Sequence, residues 1–271
     1  MLIDAFTFFN EEEMLLARVS YLNDVCDRFV ISEASLTHQG QPKGYIARSV
    51  IAAKMPEVLH KLDFIYVDDM PRGHGNEANW ERERYQRNAL MRGLYRHEPE
   101  TLVVISDIDE LPNRDILSRF VREGIEPGTV YAMEMKMYMY SAKYQYYYNE
   151  KPVVWSQARI STLEGIASPQ AIRKTTVHVS CHDAGWHLTY MGGGSRIRNK
   201  IKAFCHAEFN NTVYDQRLDG NVKALLDPYG RPGYRLVETD YSELPAEVVE
   251  SHKDYFFPLL ENEDHLKQIV F

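Results

Sequence analysis

Cysteine is scarce: Cys26, Cys181 and Cys205 are the only three in 271 residues, too few and too scattered for a disulfide framework. They sit in no activating pattern and read as small buried hydrophobes. Basic charge is also short. Thirty-one Lys and Arg against 39 Asp and Glu give a net charge of −8, which lacks the basic footprint of a non-specific nucleic-acid binder. A nucleotide ligand is not excluded, since a divalent metal can bridge acidic side chains to phosphate. No stretch approaches the roughly eighteen uninterrupted apolar residues of a membrane span. The opening MLIDAFTFFNEEEM has no basic region ahead of its apolar part and meets acids too early for a signal peptide. The expectation is a soluble, cytoplasmic protein. There is no internal repeat or low-complexity tract.

What is present is an alternation of strand-like and helix-like segments. Leu2 to Phe9, FVISEA (29–34), LDFIYVDD (62–69) and TLVVIS (101–106) are apolar runs of strand length. Between them, Leu15, Leu16, Val19 and Leu22 form a helical stripe with Asn10 as its expected cap, and residues 47–60 and 76–97 read as helices. This order predicts an α/β fold with a mostly parallel central sheet flanked by helices, in which ligands gather beyond the carboxyl ends of the strands. After Pro112 the pattern changes to a mixed α+β part. DILSRFVREG (115–124) reads as a helix, and VYAMEMKMYMY alternates with period two, placing Tyr131, Met133, Met135, Met137 and Met139 on one face. KYQYYYN pairs back on it, Ile172 to His178 reads as a further strand, KIKAFCHAEFN as a helix, and the chain beyond Asp215 as mostly loops.

The fourth strand runs straight into Asp107, Ile108, Asp109 and Glu110. Carboxylates gathered at the end of a buried strand require a cation, basic partners or water. On a continuing strand Asp107 and Asp109 share a face about 6.6 Å apart along the chain; at a turn they converge on one cation, such as Mg²⁺ or Mn²⁺ with its preference for oxygen. The plain alternative is that either aspartate caps a helix starting near Asn113. HVSCH (178–182) spaces two histidines, but a structural zinc wants four ligands.

Three stretches together carry a resemblance to a known family: DAFTFFNEEEMLLARVSYLNDVCDRFVISEASLTHQGQPK, then SDIDELPN, then GWHLTYMGG followed by KIKAFCHAEFN. They resemble glycosyltransferase family 17, relatives of the enzyme that adds the bisecting β1,4-linked N-acetylglucosamine to N-glycans, over roughly residues 2–210. The resemblance implies a GT-A-like nucleotide-sugar-binding fold, a UDP-sugar donor, Mn²⁺ or Mg²⁺, a glycan acceptor, and transfer with inversion. Residues 1–112 become the nucleotide-sugar-binding half and 113–271 the acceptor-binding half with a C-terminal extension, together one compact domain.

Roles follow from the resemblance and from position. Asp109 is the expected metal ligand, Asp107 holds the ribose or a metal-bound water, and His187 or His206 completes the metal shell. Arg87 and Asn88 resemble the Arg-Asn pair that such enzymes place near the donor. Asn10, Glu11 and Glu33, at the ends of the first two strands, and Lys43, in the loop beyond, are candidates for the nucleotide pocket. Glu208, Asp183 and Asp215 are candidates for the general base. Glu110, Tyr138, Tyr140, Trp155, Arg159 and Trp186 are candidates for the acceptor, the aromatics as stacking faces for sugar rings. Two rivals remain on the residues alone. One is a haloacid-dehalogenase-like Mg²⁺-dependent phosphohydrolase, although its Asp-x-Asp usually lies near the N-terminus and leads into Gly-Thr. The other is a non-catalytic glycan-binding protein on the same fold.

Overall fold

The computed structural model describes residues 1–205 and 212–258, with the backbone alone over 212–215. The first half is built from β1 (Leu2–Phe8), α1 (Glu12–Leu22), β2 (Arg28–Ala34), α2 (Ala47–Lys54) and β3 (Leu62–Val67). After these come α3 (Asn76–Asn88), α4 (Met91–Leu94) and β4 (Leu102–Asp107). Strand β2 pairs parallel with β1 and β3, and β1 pairs parallel with β4, giving the spatial order β3-β2-β1-β4. The chain thus winds outward from β1 to β3 and then crosses back to β4 on the other side of β1. Strands β1, β2 and β4 are buried on both faces, which is why apolar residues dominate each of them, with buried polar side chains such as Asp4, Ser32 and Ser106 as exceptions.

The second half adds β5 (Glu110–Pro112), α5 (Arg114–Glu123), β6 (Tyr131–Met139), β7 (Tyr144–Tyr148), β8 (Lys151–Pro152), β9 (Val154–Trp155) and β10 (Arg159–Thr162). It continues with α6 (Pro169–Lys174), β11 (Val179–Thr189), α7 (Gly194–Ala203), α8 (Thr212–Lys223) and β12 (Tyr234–Glu238). Strand β10 pairs antiparallel with both β4 and β6, extending the sheet to β6, β7 and β12. Strand β11 runs parallel to β6 and antiparallel to β5. The sheet is therefore parallel in its first half and mixed in its second. No helix among the described residues is long and apolar enough to cross a membrane. All three cysteines are free and buried.

Four local expectations need correction. Residues 169–174 are the helix α6 rather than a strand: Ser168 Oγ accepts from Ala171 N at 3.1 Å and Pro169 takes the first helical position, an ordinary helix start. Residues 212–223 are also a helix, with Leu218 and Val222, one turn apart, buried against β6 and β7 side chains. The long helix after residue 76 breaks at Asn88, and the short α4 turns onto the sheet. There Leu90, Met91 and Leu94 pack with Ile3 and Val30. Asn10 caps nothing through its side chain, since α1 begins after Glu11 without a side-chain cap.

Beneath the acidic turn lies a charge pair with no exposure at all. Arg18 falls on the apolar stripe of α1 and is 0% exposed, as is Asp4 in β1. Its guanidinium takes both Asp4 oxygens at 2.8 and 2.7 Å and Ser106 Oγ at 2.6 Å. It also donates to the carbonyls of Asp107, Ile108 and Glu110 at 2.9, 3.1 and 2.8 Å. The backbone of the turn is thus held from below by one buried side chain.

Candidate active site

A cavity of about 990 Å³ opens beyond the carboxyl ends of β1, β2 and β4. It lies at the point where the strand order reverses between β1 and β4, the position that open α/β sheets favour for ligands. Phe8, Phe9, Leu36, Thr37 and Lys43 form one end, and Met137, Met139, Trp155, Tyr190, Tyr229 and Arg231 the other. Asp107, Ile108 and Asp109 lie between. Among the described lining residues, seven are basic (Lys43, Arg84, Arg87, Arg173, Lys174, Lys200, Arg231) and four acidic (Glu11, Glu83, Asp107, Asp109). Three of the basic residues are answered from just behind the wall, Lys43 by Glu33, Arg173 by Glu110 and Arg231 by Asp227, so the cavity is densely charged and close to balanced.

The two aspartates do not converge. Strand β4 ends at Asp107, and the chain turns through Ile108 and Asp109 into β5, where Glu110 is paired with His187 of β11. Asp107 N donates to Glu110 Oε2 at 2.8 Å, closing the turn. The turn sends the two carboxylates to different partners. Asp107 accepts from Thr7 Oγ1 at 3.0 Å, from Arg87 Nη2 at 3.1 and 3.2 Å, and from Arg173 Nη2 at 3.0 Å. Burial pushes its pKa up, but the two guanidiniums outweigh burial and hold it well below the usual carboxylate range. Neither aspartate caps the helix after the turn, because Asn113 does, accepting from Asp115 N at 2.9 Å.

Asp109 faces the other way. Its Oδ2 accepts from Lys200 Nζ at 2.6 Å, and its Oδ1 lies 3.4 Å from His187 Nε2. Here too burial raises the pKa and is outweighed, first by Lys200 and then by His187. Burial works against the Lys200 charge, but Asp109 and Glu11 hold its pKa above the ordinary lysine value. The His187 ring lies 4.6 Å from the Trp155 ring, and its Nδ1 is buried without a partner. Trp155 Nε1 in turn donates to Glu110 Oε1 at 2.5 Å, and Arg173 grips both Glu110 oxygens at 2.6 and 2.8 Å.

The other candidates divide between cavity and framework. Arg87, Asn88, Glu11, Lys43, Trp155 and His187 line the cavity. Glu33 does not line it: its oxygens accept from Ile46 N, Ala47 N and Lys43 Nζ at 2.8, 3.1 and 3.1 Å, so it serves the start of α2. Asn10 is exposed and also outside the lining. Tyr138 and Trp186 are buried in the main core, and Tyr140 donates to Leu226 O at 2.9 Å. Arg159 braces backbone carbonyls, including that of Arg173 at 3.3 Å. The Asp183 side chain is 77% exposed and is not part of the cavity wall. His206 and Glu208 lie outside the described residues, and so does the side chain of Asp215.

Three functional candidates were not singled out from the sequence. Arg18 could have been found, as the one charge on the stripe formed by Leu15, Val19 and Leu22. Arg173 and Lys200 carry no such local signal, because only the tertiary fold brings them to Asp107 and Asp109.

Among the described residues no group of three or more His, Cys, Asp or Glu converges as a metal cage. That includes HVSCH, where His182 Nδ1 instead pairs with Glu134 Oε2 at 2.6 Å. Two donors do fit a divalent cation. Oxygen and nitrogen atoms held at right angles by one ion, with bonds of about 2.1 Å, stand about 3 Å apart; Asp109 Oδ1 and His187 Nε2 are 3.4 Å apart. Magnesium-type sites commonly take one or two protein ligands and fill the rest with phosphate and water.

The chain belongs to glycosyltransferase family 17, whose profile matches residues 1–220. No curated protein matches it. Among solved structures, the galactosyltransferase LgtC in complex with donor and acceptor sugar analogues is similar over 60% of this chain and 58% of its own, at 12% identity and a TM-score of 0.34. An active-site mutant of LgtC is similar over 65% and 60%, at 15% identity and 0.33. The 4-diphosphocytidyl-2C-methyl-D-erythritol synthase of Anaerococcus prevotii is similar over 70% and 86%, at 8% identity and 0.33. The alignment thus spans about three-fifths of LgtC's length. Likeness this distant carries no weight about function.

Proposed function

We propose that this chain is a metal-dependent, inverting glycosyltransferase with a GT-A-like fold, which moves a sugar from UDP to a hydroxyl of a glycan. N-acetylglucosamine is the first sugar to test, on the family resemblance. The observation that carries the reading is a cavity of about 990 Å³ at the sheet's switch point, large enough for more than one sugar ring, with Asp107 and Asp109 in its wall among arginines and lysines. A nucleotide diphosphate offers these cations phosphate oxygens in exchange for some of their carboxylate contacts.

The residues divide the work by position. Phe8, Phe9 and Thr37 at the ends of β1 and β2 receive the nucleoside. Asp107, immobilised by Arg87 and Arg173, is a fixed acceptor for a ribose hydroxyl. Asp109 and His187 are the ligands offered to Mn²⁺ or Mg²⁺, which when bound supplies charge against the departing pyrophosphate. Lys43 adds positive charge along the same path. Trp155, Tyr190 and Tyr229 offer faces to the acceptor sugar. Inversion requires a carboxylate on the face opposite the leaving group. With Asp183 exposed away from the cavity, Glu208 and Asp215 are the residues to substitute first.

The test is thermal unfolding with UDP-N-acetylglucosamine, with and without Mn²⁺, followed by UDP release on a panel of glycan acceptors. A ligand at a hundred times its Kd stabilises by about 2.7 kcal/mol, or roughly 5–10 °C for a domain of this size. A shift only when both are present is the expected result. Hydrolysis of phosphate esters, or glycan binding indifferent to Asp109→Ala, would instead favour the rivals.

A further inference from the structure

Lys200 occupies a position that the donor-site reading above does not explain. Its ammonium lies 2.6 Å from Asp109 Oδ2 and 3.4 Å from Glu11 Oε1. It also sits over the rings of Phe204 and Tyr190, at 5.1 and 5.7 Å. Two carboxylates and two aromatic faces form a cage for a cation, and the side chain is only 13% exposed. Asp109 is also the carboxylate whose other oxygen faces His187. An ammonium on one oxygen and a divalent ion on the other would stand roughly 4–5 Å apart in a poorly solvated cavity, where like charges repel strongly.

We infer that Lys200 is a placeholder cation: its ammonium neutralises Asp109 and Glu11 in the free protein, and it turns to the nucleotide diphosphate when the donor binds. The inference rests on the donor-site reading. A lysine suits this exchange, being a point charge on a flexible stem that binds carboxylate or phosphate without a fixed geometry. Its partner Glu11 stands at the entrance to α1, so the stem needs to swing only within the cavity. The consequence is conditional affinity. While Lys200 holds Asp109, divalent cations bind poorly. Once a diphosphate takes up the ammonium, the Asp109 carboxylate is released to the ion. Linkage makes the effect reciprocal, so the cation strengthens diphosphate binding by the same factor.

The experiment measures free Mn²⁺ by electron paramagnetic resonance during titration of the full chain, with and without saturating UDP. In the unsubstituted protein UDP should tighten Mn²⁺ binding at least tenfold. Lys200→Met should bind Mn²⁺ alone at least tenfold more tightly than the unsubstituted protein and gain less than threefold from UDP. Lys200→Arg, which keeps the charge, should retain weak binding of Mn²⁺ alone. Circular dichroism checks the fold, and Lys200→Gln, neutral but able to hydrogen-bond to both carboxylates, replaces the Met variant if that one is unfolded. Unchanged or weaker Mn²⁺ binding by the neutral variant, in a background where Mn²⁺ and UDP still bind together, overturns the inference and leaves the transferase reading standing. Failure of the unsubstituted protein to bind UDP at any Mn²⁺ concentration overturns both.

Discussion

Removing the carboxylate of Asp4 should be among the most damaging single changes available in this chain. The Arg18 guanidinium makes six hydrogen bonds, two of them to Asp4, and neither side chain has any exposed surface. In Asp4→Ala the guanidinium keeps its charge and loses its carboxylate partner. Breaking a buried pair from one side costs about 3–5 kcal/mol, against a typical total stability of about 5–15 kcal/mol. For a domain of this length that is a fall in Tm of roughly 6–20 °C. Urea unfolding should show the midpoint falling with the slope unchanged, as expected of a loss of stability without a change in the denatured state. The double variant Asp4→Leu/Arg18→Met removes both charges and should recover most of the loss, because replacing a buried pair by apolar groups is often close to neutral. Recovery of stability should not bring recovery of activity. Arg18 is also the donor that fixes the carbonyls of Asp107, Ile108 and Glu110, and without it the turn carrying Asp109 loses its support. A loss below about 1 kcal/mol for Asp4→Ala, or full turnover in the double variant, would refute this account.

Three further outcomes follow from the same geometry. Asp109→Ala should keep the fold but abolish the Mn²⁺-dependent thermal shift with UDP, and lower turnover by about a hundredfold or more, read by UDP release. The pKa values of Asp107 and Asp109 are depressed in the folded protein, so their contribution is complete above the unfolded value of about 4 and is lost as pH falls through it towards the folded values. Lys200 is the opposite case: raised when folded, it contributes fully below about 10.4 and loses that contribution above it. Urea midpoints should therefore be level near neutrality and decline below about pH 5. Gly185→Ala should destabilise by at least about 2 kcal/mol, checked by the same unfolding curves. Its φ is +152°, and an added Cβ would lie 2.2 Å from Leu111 O, in the β5–β11 pairing that shapes the acidic turn.

The parallel half of the sheet was legible because its physics is local. Strands buried on both faces read as near-continuous apolar runs, and β1, β2 and β4 do so apart from a few buried polar residues that have partners, Asp4 among them. That the carboxylates where β4 runs into Asp107 would have partners was legible for the same reason, since charges at the end of such a strand cannot be buried alone. Which partners was not. The direction of each carboxylate is set by the turn from β4 into β5, and β5 exists because it pairs with β11, more than seventy residues along the chain. No local spacing encodes that pairing. The α6 helix is a different sort of miss, because Ser168-Pro169 is a readable helix start that the apolar look of the following residues obscured. Glu33 lies between the two. An acid closing a buried strand demanded a partner, and it has three, but they belong to the start of α2 and to Lys43 rather than to a ligand.

The acidic turn contains two ion-pair systems built for different purposes. Around Asp107 the partners are guanidiniums, which keep their charge at any relevant pH and are themselves tied down: Arg87 by Glu83 at 2.7 Å and Gln170 at 2.5 Å, Arg173 by Glu110. Planar forks held at both ends lose little entropy and resist exchange. That suits a carboxylate whose task is to stay in place. Around Asp109 the partners are a lysine on a flexible stem and a histidine with a buried nitrogen to spare. Neither is a planar fork, so on the proposed reading either can exchange its contact for a ligand's without losing a bidentate geometry. The two aspartates differ by two positions in the chain, yet arginine guards the first and lysine the second. If Lys200 exchanges as proposed, the choice of cation is what separates the two carboxylates.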